Sequence, residues 1–173
     1  WILDQGFDVK KIIPYTYPPL KEFKENNLQI IYLGWFLKDW SLVNNGMYSV
    51  TTGLAIRTDK VDKTGDLLGI SALDEEWVTL NQMIKFYKYG FGRVTDYANE
   101  EIRLKRMTRD EAIYIVNKYD DACDEKYIKS FCSYIDISVL QFWEQVRKSL
   151  NKNLFEINKE GKIIRKYKVG VDF

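Results

Sequence analysis

The 173 residues contain no histidine and only two cysteines, Cys123 and Cys132, separated by eight residues rather than set in C-x-x-C spacing. A zinc ion would lack a conventional ligand set, so no metal site is expected, and the two thiols read as reduced structural side chains. Charge of one sign is missing as well. The 26 basic and 25 acidic side chains leave a net charge of +1, so no global field gathers nucleic acid or an anionic membrane. No apolar run approaches the ~20 residues that a bilayer span needs, and no charged-then-apolar signal segment opens the chain. Nucleic acid and membrane insertion are therefore set aside, and a cytoplasmic protein is expected. Proline is scarce too: all three fall in "IIPYTYPPLKEF", where each biases its predecessor away from helix. That stretch predicts an irregular arm and then a short helix around Leu20 to Glu25.

Aromatics, by contrast, are plentiful, with 12 Tyr, 9 Phe and 5 Trp, enough to build a core, pockets or an interface. The length suits one domain, or one domain with a piece of another. The opening "WILDQGF" has neither an initiator Met nor a cap or turn signal, as if cut from a longer protein. After "NNLQ", the run Ile30 to Phe36 is apolar on both faces and rich in β-branched and aromatic residues, which predicts a strand of a covered parallel sheet. Hardly any other segment could pair with it, a second pointer to a fragment.

From Trp40 onward the pattern is helical. Ser41 is a candidate cap for a helix stopping at Gly53, and 55–71 reads as a glycine-spaced loop. "LDEEWVTLNQMIKFYKYG" predicts a helix capped near Asp74, with Trp77, Leu80, Ile84 and Tyr87 on one face and Gly90 as its stop. Thr108-x-x-Glu111 and Ser138-x-x-Gln141 are capping boxes. "DEKYIKSFCSYI" supplies a short helix between them, and the tail is either a hairpin about Glu160-Gly161 or an extended finish.

Chemistry concentrates in "KFYKYGFGRVTDYANEEIR", Lys85 to Arg103. Gly90 and Gly92 suit a tight corner between two helices, and G-F-G is not a phosphate loop, because a helix rather than a strand precedes it. On a helical wheel Arg93, Asp96, Asn99, Glu100 and Arg103 form a polar arc opposite Val94, Ala98 and Ile102. Glu101 falls on the edge of the apolar arc, where a carboxylate needs a partner: it is either a paired structural charge or part of a site. The corner is also locally basic, through Lys85, Lys88, Arg93, Arg103, Lys105, Arg106 and Arg109. Such a cluster either receives phosphate or a carboxylated sugar or is simply a solvated helix end.

The stretch "IKFYKYGFGRVTDYANEEIRLKRMTRDEAIYIVNKYD", Ile84 to Asp120, resembles the K-F-G-F-G-R-A-T-D-D-A-S-x-E-I-R-x-G-R-I-T-R-E-E-A-I-x-L-V-x-K-Y-D signature of the N-acetyl sugar amidotransferases of lipopolysaccharide and nonulosonic acid biosynthesis. "IIYLGWFLKDWSLVNNG" is similar to that family's L-G-Y-Y-x-x-W-D-x-x-x-N segment, and "YIDISVLQFWEQV" to its Y-L-x-I-S-x-x-x-F-W. The likeness runs from about Ile31 to Val146. The matching positions are Gly34, Trp40, Asn44, Lys88, Gly90, Phe91, Gly92, Arg93, Thr95, Asp96, Glu101, Ile102, Arg103, Thr108, Arg109, Glu111 and Asp120, while Ser41, Asn81, Tyr89 and Tyr97 depart from the pattern.

The resemblance implies an ATP- and Mg-dependent enzyme that adenylylates the oxygen of a sugar acetamido group and lets ammonia from a glutaminase partner displace AMP, leaving an acetamidino group. The family's S-G-G-K-D-S nucleotide loop and N-terminal cysteine pairs are absent here, so the fragment alone is expected to be inactive. It also implies a mainly α fold. Residues 1–40 would be a remnant of an α/β nucleotide domain, holding its last strand, and 41–173 a C-terminal helical domain. Asp96 and Glu101 become the candidate catalytic residues, orienting the arginines or the incoming ammonia, and Lys88, Arg93, Arg103 and Arg109 the candidate substrate and phosphate contacts, with Arg93 and Arg103 on the sugar or nucleotide phosphate of a nucleotide-linked or free N-acetyl sugar. Gly90 and Gly92 are the structural turn, and an oligomer is possible. A helical docking module for the ammonia-supplying partner is the competing reading.

Overall fold

The computed structural model describes residues 3–172; the opening Trp1 and Ile2 on which the fragment expectation partly rests, and Phe173, lie outside them. The chain divides into two compact units, 1–40 and 41–173. It is mainly helical, with a single two-stranded antiparallel sheet among the described residues.

The first unit consists of short elements. Helix α1 (Val9–Ile12) starts where the Asp8 carboxylate accepts a hydrogen bond from the Lys10 amide at 3.0 Å. Helix α2 (Leu20–Glu25) follows Pro19, whose fixed φ suits the entry to a helix. The strand expected over Ile30 to Phe36 does not form. Leu33–Phe36 is instead a 3-10 turn, with the Trp35 amide donating to the Tyr32 carbonyl at 3.0 Å. A strand satisfies its backbone groups only through a neighbour, and the unit offers none, so local i→i+3 bonds take over. Trp35 and Phe36 are exposed, and none of the unit's described residues is buried.

The second unit carries the core. Helix α3 (Leu42–Thr51) is capped by Ser41, whose Oγ accepts from the Asn44 amide at 3.0 Å. Helix α4 (Val61–Thr64) is one turn within the expected loop. Helix α5 (Val78–Tyr89) begins three residues later than the Asp74 cap predicts. The cause is remote in sequence: the Arg57 guanidinium takes the Ala72 carbonyl at 2.6 Å and the Glu75 carbonyl as well. An earlier helix would need the Glu75 carbonyl for its own ladder.

Helices α6 (Arg93–Arg103) and α7 (Arg109–Tyr119) pack through Val94, Ala98, Ala112 and Val116. Helices α8 (Glu125–Tyr134) and α9 (Val139–Lys148) pack with α5 through Leu80, Met83, Ile128, Cys132, Phe142 and Val146. Both capping boxes form. The tail is a hairpin of β1 (Phe155–Ile157) and β2 (Ile163–Arg165), in register Phe155 to Arg165, and Phe155 seals a third cluster with Phe86 and Leu150. These strands therefore belong to the tail and not to a nucleotide-binding sheet. No helix among the described residues is long and apolar enough to cross a membrane.

Candidate functional site

The α5–α6 corner is built by two glycines and one distant carboxylate. Gly90 ends α5 at φ +83°, the left-handed C-cap conformation that glycine adopts without steric cost. Gly92 has no such φ; a Cβ there would collide with the Asp120 backbone carbonyl oxygen. Lacking a side chain, Gly92 cannot cap α6, and Asp120 does so from the end of α7. Its carboxylate accepts from the Gly92 amide at 2.9 Å, the Thr95 amide at 2.9 Å and the Thr95 hydroxyl at 2.7 Å. Burial nonetheless leaves the Asp120 carboxyl above its ordinary pKa, against the pull of those three donors. The glycines and Asp120 are thus one structural device that fixes the start of α6.

That device aims one side of α6 into a cleft of about 320 Å³ lined by Leu42, Ser71, Gln82, Arg93, Asp96, Tyr97, Glu100 and Arg103. Arg93 is only 7% exposed, yet its guanidinium makes no hydrogen bond to any described residue, and Nη1 is buried without a partner. The nearest carboxylate oxygen, Asp66 Oδ2, lies 3.8 Å away, beyond hydrogen-bond range. Asp66 is already committed: it accepts from the amides of Leu68 (3.3 Å), Gly69 (3.0 Å) and Ser71 (3.0 Å) and from the Tyr97 hydroxyl (3.3 Å). Loss of water lowers the Arg93 pKa from its ordinary value, with Asp66 opposing the shift. Burial, and then Asp66, raises the pKa of the Tyr97 phenol.

Gln82 also lines the cleft, and its side-chain oxygen is buried without a hydrogen-bond partner among the described residues. Arg103 is exposed and forms no ion pair with a described residue. The carboxylates are engaged. Asp96 pairs with Lys85 at 2.6 Å, whose ammonium also sits 4.4 Å over the Phe91 ring, and Glu100 accepts from the Leu42 amide at the start of α3 at 2.9 Å. The cleft therefore offers unused donors on Arg93 and Arg103 and an unused acceptor on Gln82. It is suited to a polar ligand carrying acceptors and at least one donor.

Of the residues singled out in the sequence, Arg93, Asp96 and Arg103 come together here. Glu101 does not. It points to the other side, where the Arg106 guanidinium grips it at 2.8 Å (Nε) and 2.5 Å (Nη2) and also donates to Asn44 Oδ1 (2.6 Å) and Ser41 Oγ (2.9 Å). The partner that a carboxylate on the apolar edge requires is Arg106, five positions on, out of reach of the ordinary i,i+4 pattern. It gets there because α6 ends at Arg103 and Lys105 turns the chain back at φ +61°. A double-mutant cycle between Glu101→Ala and Arg106→Ala should give a coupling of about 2 kcal/mol in urea unfolding, with each single change costing more than the pair alone, since it strands the other charge.

Arg109 lines a different cavity, of about 350 Å³, between α6, α7 and the tail, and donates to the Gly170 carbonyl at 3.2 Å; Gly90 borders the same cavity. Lys88 is exposed and lines neither cavity. Gln82 and Ser71 escaped the sequence reading because a lone glutamine in a helix and a serine in a loop look like ordinary solvated positions. Cys123 and Cys132 are not bonded to each other, and burial pushes the Cys123 thiol up to about 11, far from a nucleophile's range.

The family model for the C-terminal domain of the WbpG-like LPS biosynthesis proteins matches residues 58–168. The chain belongs to that family. Its role is thereby in lipopolysaccharide biosynthesis. The matched span starts beyond the Ile31 at which the resemblance begins and continues through the hairpin. It contains every residue lining the cleft except Leu42. No curated protein matches the chain.

Proposed function

We propose that the chain is the C-terminal part of an ATP-dependent amidotransferase that converts a sugar acetamido group to an acetamidino group during lipopolysaccharide or surface-glycan synthesis, with ammonia drawn from a glutaminase partner. The observation that carries this reading is Arg93: a nearly buried guanidinium with no hydrogen bond to a described residue, lining a cleft shared with Arg103, which has no ion pair among the described residues. A buried donor left unmade costs about 1–3 kcal/mol, a cost that a ligand oxygen can relieve. In this assignment Arg93 and Arg103 hold oxygens of the N-acetyl sugar or its phosphate, and Asp96, kept in place by Lys85, orients Arg93 or the incoming ammonia. Glu101 acts at a distance, by fixing Arg106 and the end of α6.

ATP and Mg do not fit the described residues. No group of three or more His, Cys, Asp or Glu side chains there could hold a metal ion, and the glycine turn that follows β1, about Gly161, leads into β2 and not into a helix whose N-terminus could take a phosphate. No step of this chain is routed through them, and its contribution is to bind and orient the sugar.

The test is equilibrium binding of N-acetyl sugars and their 1-phosphates to the chain. Arg103→Ala, an exposed position, should weaken binding roughly 10-fold without moving the melting temperature, and more for the phosphorylated sugar. Equal affinity for both proteins removes Arg103 from the site. The docking reading is favoured by a separate observation, the exposed rings of Tyr89 and Phe91 beside the corner. It predicts that Tyr89→Ala disrupts capture of the glutaminase partner and leaves sugar affinity untouched.

A further inference from the structure

The cavity between α6, α7 and the tail has no part in the proposed sugar site, and its wall is of another kind. Ala98 and Ile102 of α6, Ala112 and Val116 of α7 and Val169 of the tail all line it and belong to one apolar cluster. Two hydrogen bonds tie the tail across this space. The Tyr167 hydroxyl donates to the Gly90 carbonyl at the end of α5 at 2.6 Å, and Arg109, the first residue of α7, donates to the Gly170 carbonyl at 3.2 Å. All four of these residues line the cavity, so each bond joins one part of its wall to another. The tail also lies tightly on α7, since a Cβ on Gly170 would collide with the Ile113 side chain.

The polar groups of this wall are largely committed. The Thr95 amide and hydroxyl serve Asp120, and the Tyr167 hydroxyl serves Gly90. Asn99 and Tyr89 are exposed neutral side chains. Among the described lining residues Arg109 alone is charged; it is exposed, and its bond to Gly170 leaves most of its N–H groups for a ligand. A cation would meet that guanidinium with no carboxylate in the wall to offset it. A wholly polar molecule would lose water against apolar side chains without replacing its hydrogen bonds. A wholly apolar one would gain from the wall and make no use of Arg109. An apolar body with one anionic head uses both. The volume of about 350 Å³ is near the lower end of ligand pockets, roughly 300–1,000 Å³, and so limits the body to a ring or a short chain.

We infer that the cavity between α6, α7 and the tail is a second ligand site, separate from the α5–α6 cleft, that takes a small amphipathic anion. The ring or short alkyl chain lies between α6 and α7 beneath the tail, and the carboxylate or phosphate head meets the Arg109 guanidinium, which suits either group through paired N–H donors. The site does not depend on the amidotransferase reading, because no residue of the sugar cleft lines it.

The probes are octanoate, octyl phosphate, octanol and acetate, each titrated below its micelle threshold into the whole chain and into Arg109→Gln and Arg109→Lys variants, with binding followed by NMR. Octanoate or octyl phosphate should bind the wild type about 10-fold more tightly than octanol, and acetate should not saturate. Binding of one anionic head and not the other supports the site and identifies the head. Nuclear Overhauser contacts should run from the alkyl chain to the methyls of Ile113 and Val169. Arg109→Gln should bring the affinity for the anion down to about that of octanol, with octanol itself changed by less than about 2-fold, and Arg109→Lys should keep most of the preference. The inference is overturned if neither anion saturates, if octanol binds the wild type as well as the anions do, or if the contacts fall elsewhere on the chain. Loss of octanol binding in Arg109→Gln would show that Arg109 only fastens the tail, and would remove it as the partner of the head.

Discussion

Replacing Asp120 with alanine should lower the melting temperature by roughly 10 °C, the largest loss of stability expected from any single polar substitution in the 41–173 unit. Asp120 lies at the end of α7, 28 positions beyond Gly92, yet its carboxylate serves as the N-terminal cap of α6. In most helices a side chain at the N-cap position meets the first free amides. Here glycine is required at that position, because the Asp120 carbonyl oxygen occupies the space a Cβ would need. Alanine at 120 leaves the Gly92 and Thr95 amides and the Thr95 hydroxyl without their acceptor, in a place water reaches poorly. Caps contribute about 1 kcal/mol and charge-assisted buried bonds about 1.5–3, so a combined loss of about 3 kcal/mol is reasonable. For a chain of this size each kcal/mol moves the melting temperature by about 2–4 °C. Asp120→Asn keeps one oxygen acceptor and should recover part of the loss. A melting curve for Asp120→Ala that overlies the wild type contradicts the capping role and, with it, the reason given for Gly92.

The second large effect has the opposite signature. Arg93→Met should leave the melting temperature within about 2 °C of the wild type, or raise it, while abolishing at least 99% of amidination in the assembled enzyme, a loss of roughly 100-fold or more. Stability is spared because Arg93 forms no hydrogen bond with a described residue and its nearest carboxylate, Asp66, is 3.8 Å away. Burying that guanidinium costs solvation, the effect that also depresses its pKa, and an apolar side chain of similar length removes the cost. Asp66 is not stranded by the change, since three backbone amides and the Tyr97 hydroxyl still serve it. A residue that lowers stability while it supports activity is what a binding site, and not a scaffold, contains. A steep fall in melting temperature for Arg93→Met would mark the arginine as structural.

What could be read from the sequence divides along the range of the forces involved. The caps at Ser41, Thr108 and Ser138 were legible because each side chain meets an amide within three positions. The stop at Gly90 follows from local backbone freedom in the same way, and the hairpin about Gly161 is one of the two finishes that the sequence left open. Long-range bonds defeated the rest. The start of α5 is displaced by Arg57, whose partners Ala72 and Glu75 lie 15 and 18 positions on. The expected strand at Ile30 to Phe36 failed because an apolar run states only that a segment is greasy, and a strand additionally needs a neighbour. Glu101 was correctly read as a carboxylate that needs a partner, but Arg106 reaches it only through the left-handed turn at Lys105. Within the cleft, Arg93, Asp96 and Arg103 were visible as a polar arc on one helix, and Gln82 was not, because it comes from another helix and carries no charge.

Assignment of the α5–α6 cleft to the acetamido sugar meets its most direct test in nitrogen transfer. On the proposed reading, the protein, a glutaminase, ATP and an N-acetyl sugar are incubated with glutamine labelled with ¹⁵N at the side-chain amide, and the sugar is weighed by mass spectrometry. The wild type should exchange the acetamido oxygen for a labelled nitrogen, and Arg93→Met, equally well folded, should return the sugar unlabelled. Equal labelling by the two proteins would contradict the assignment.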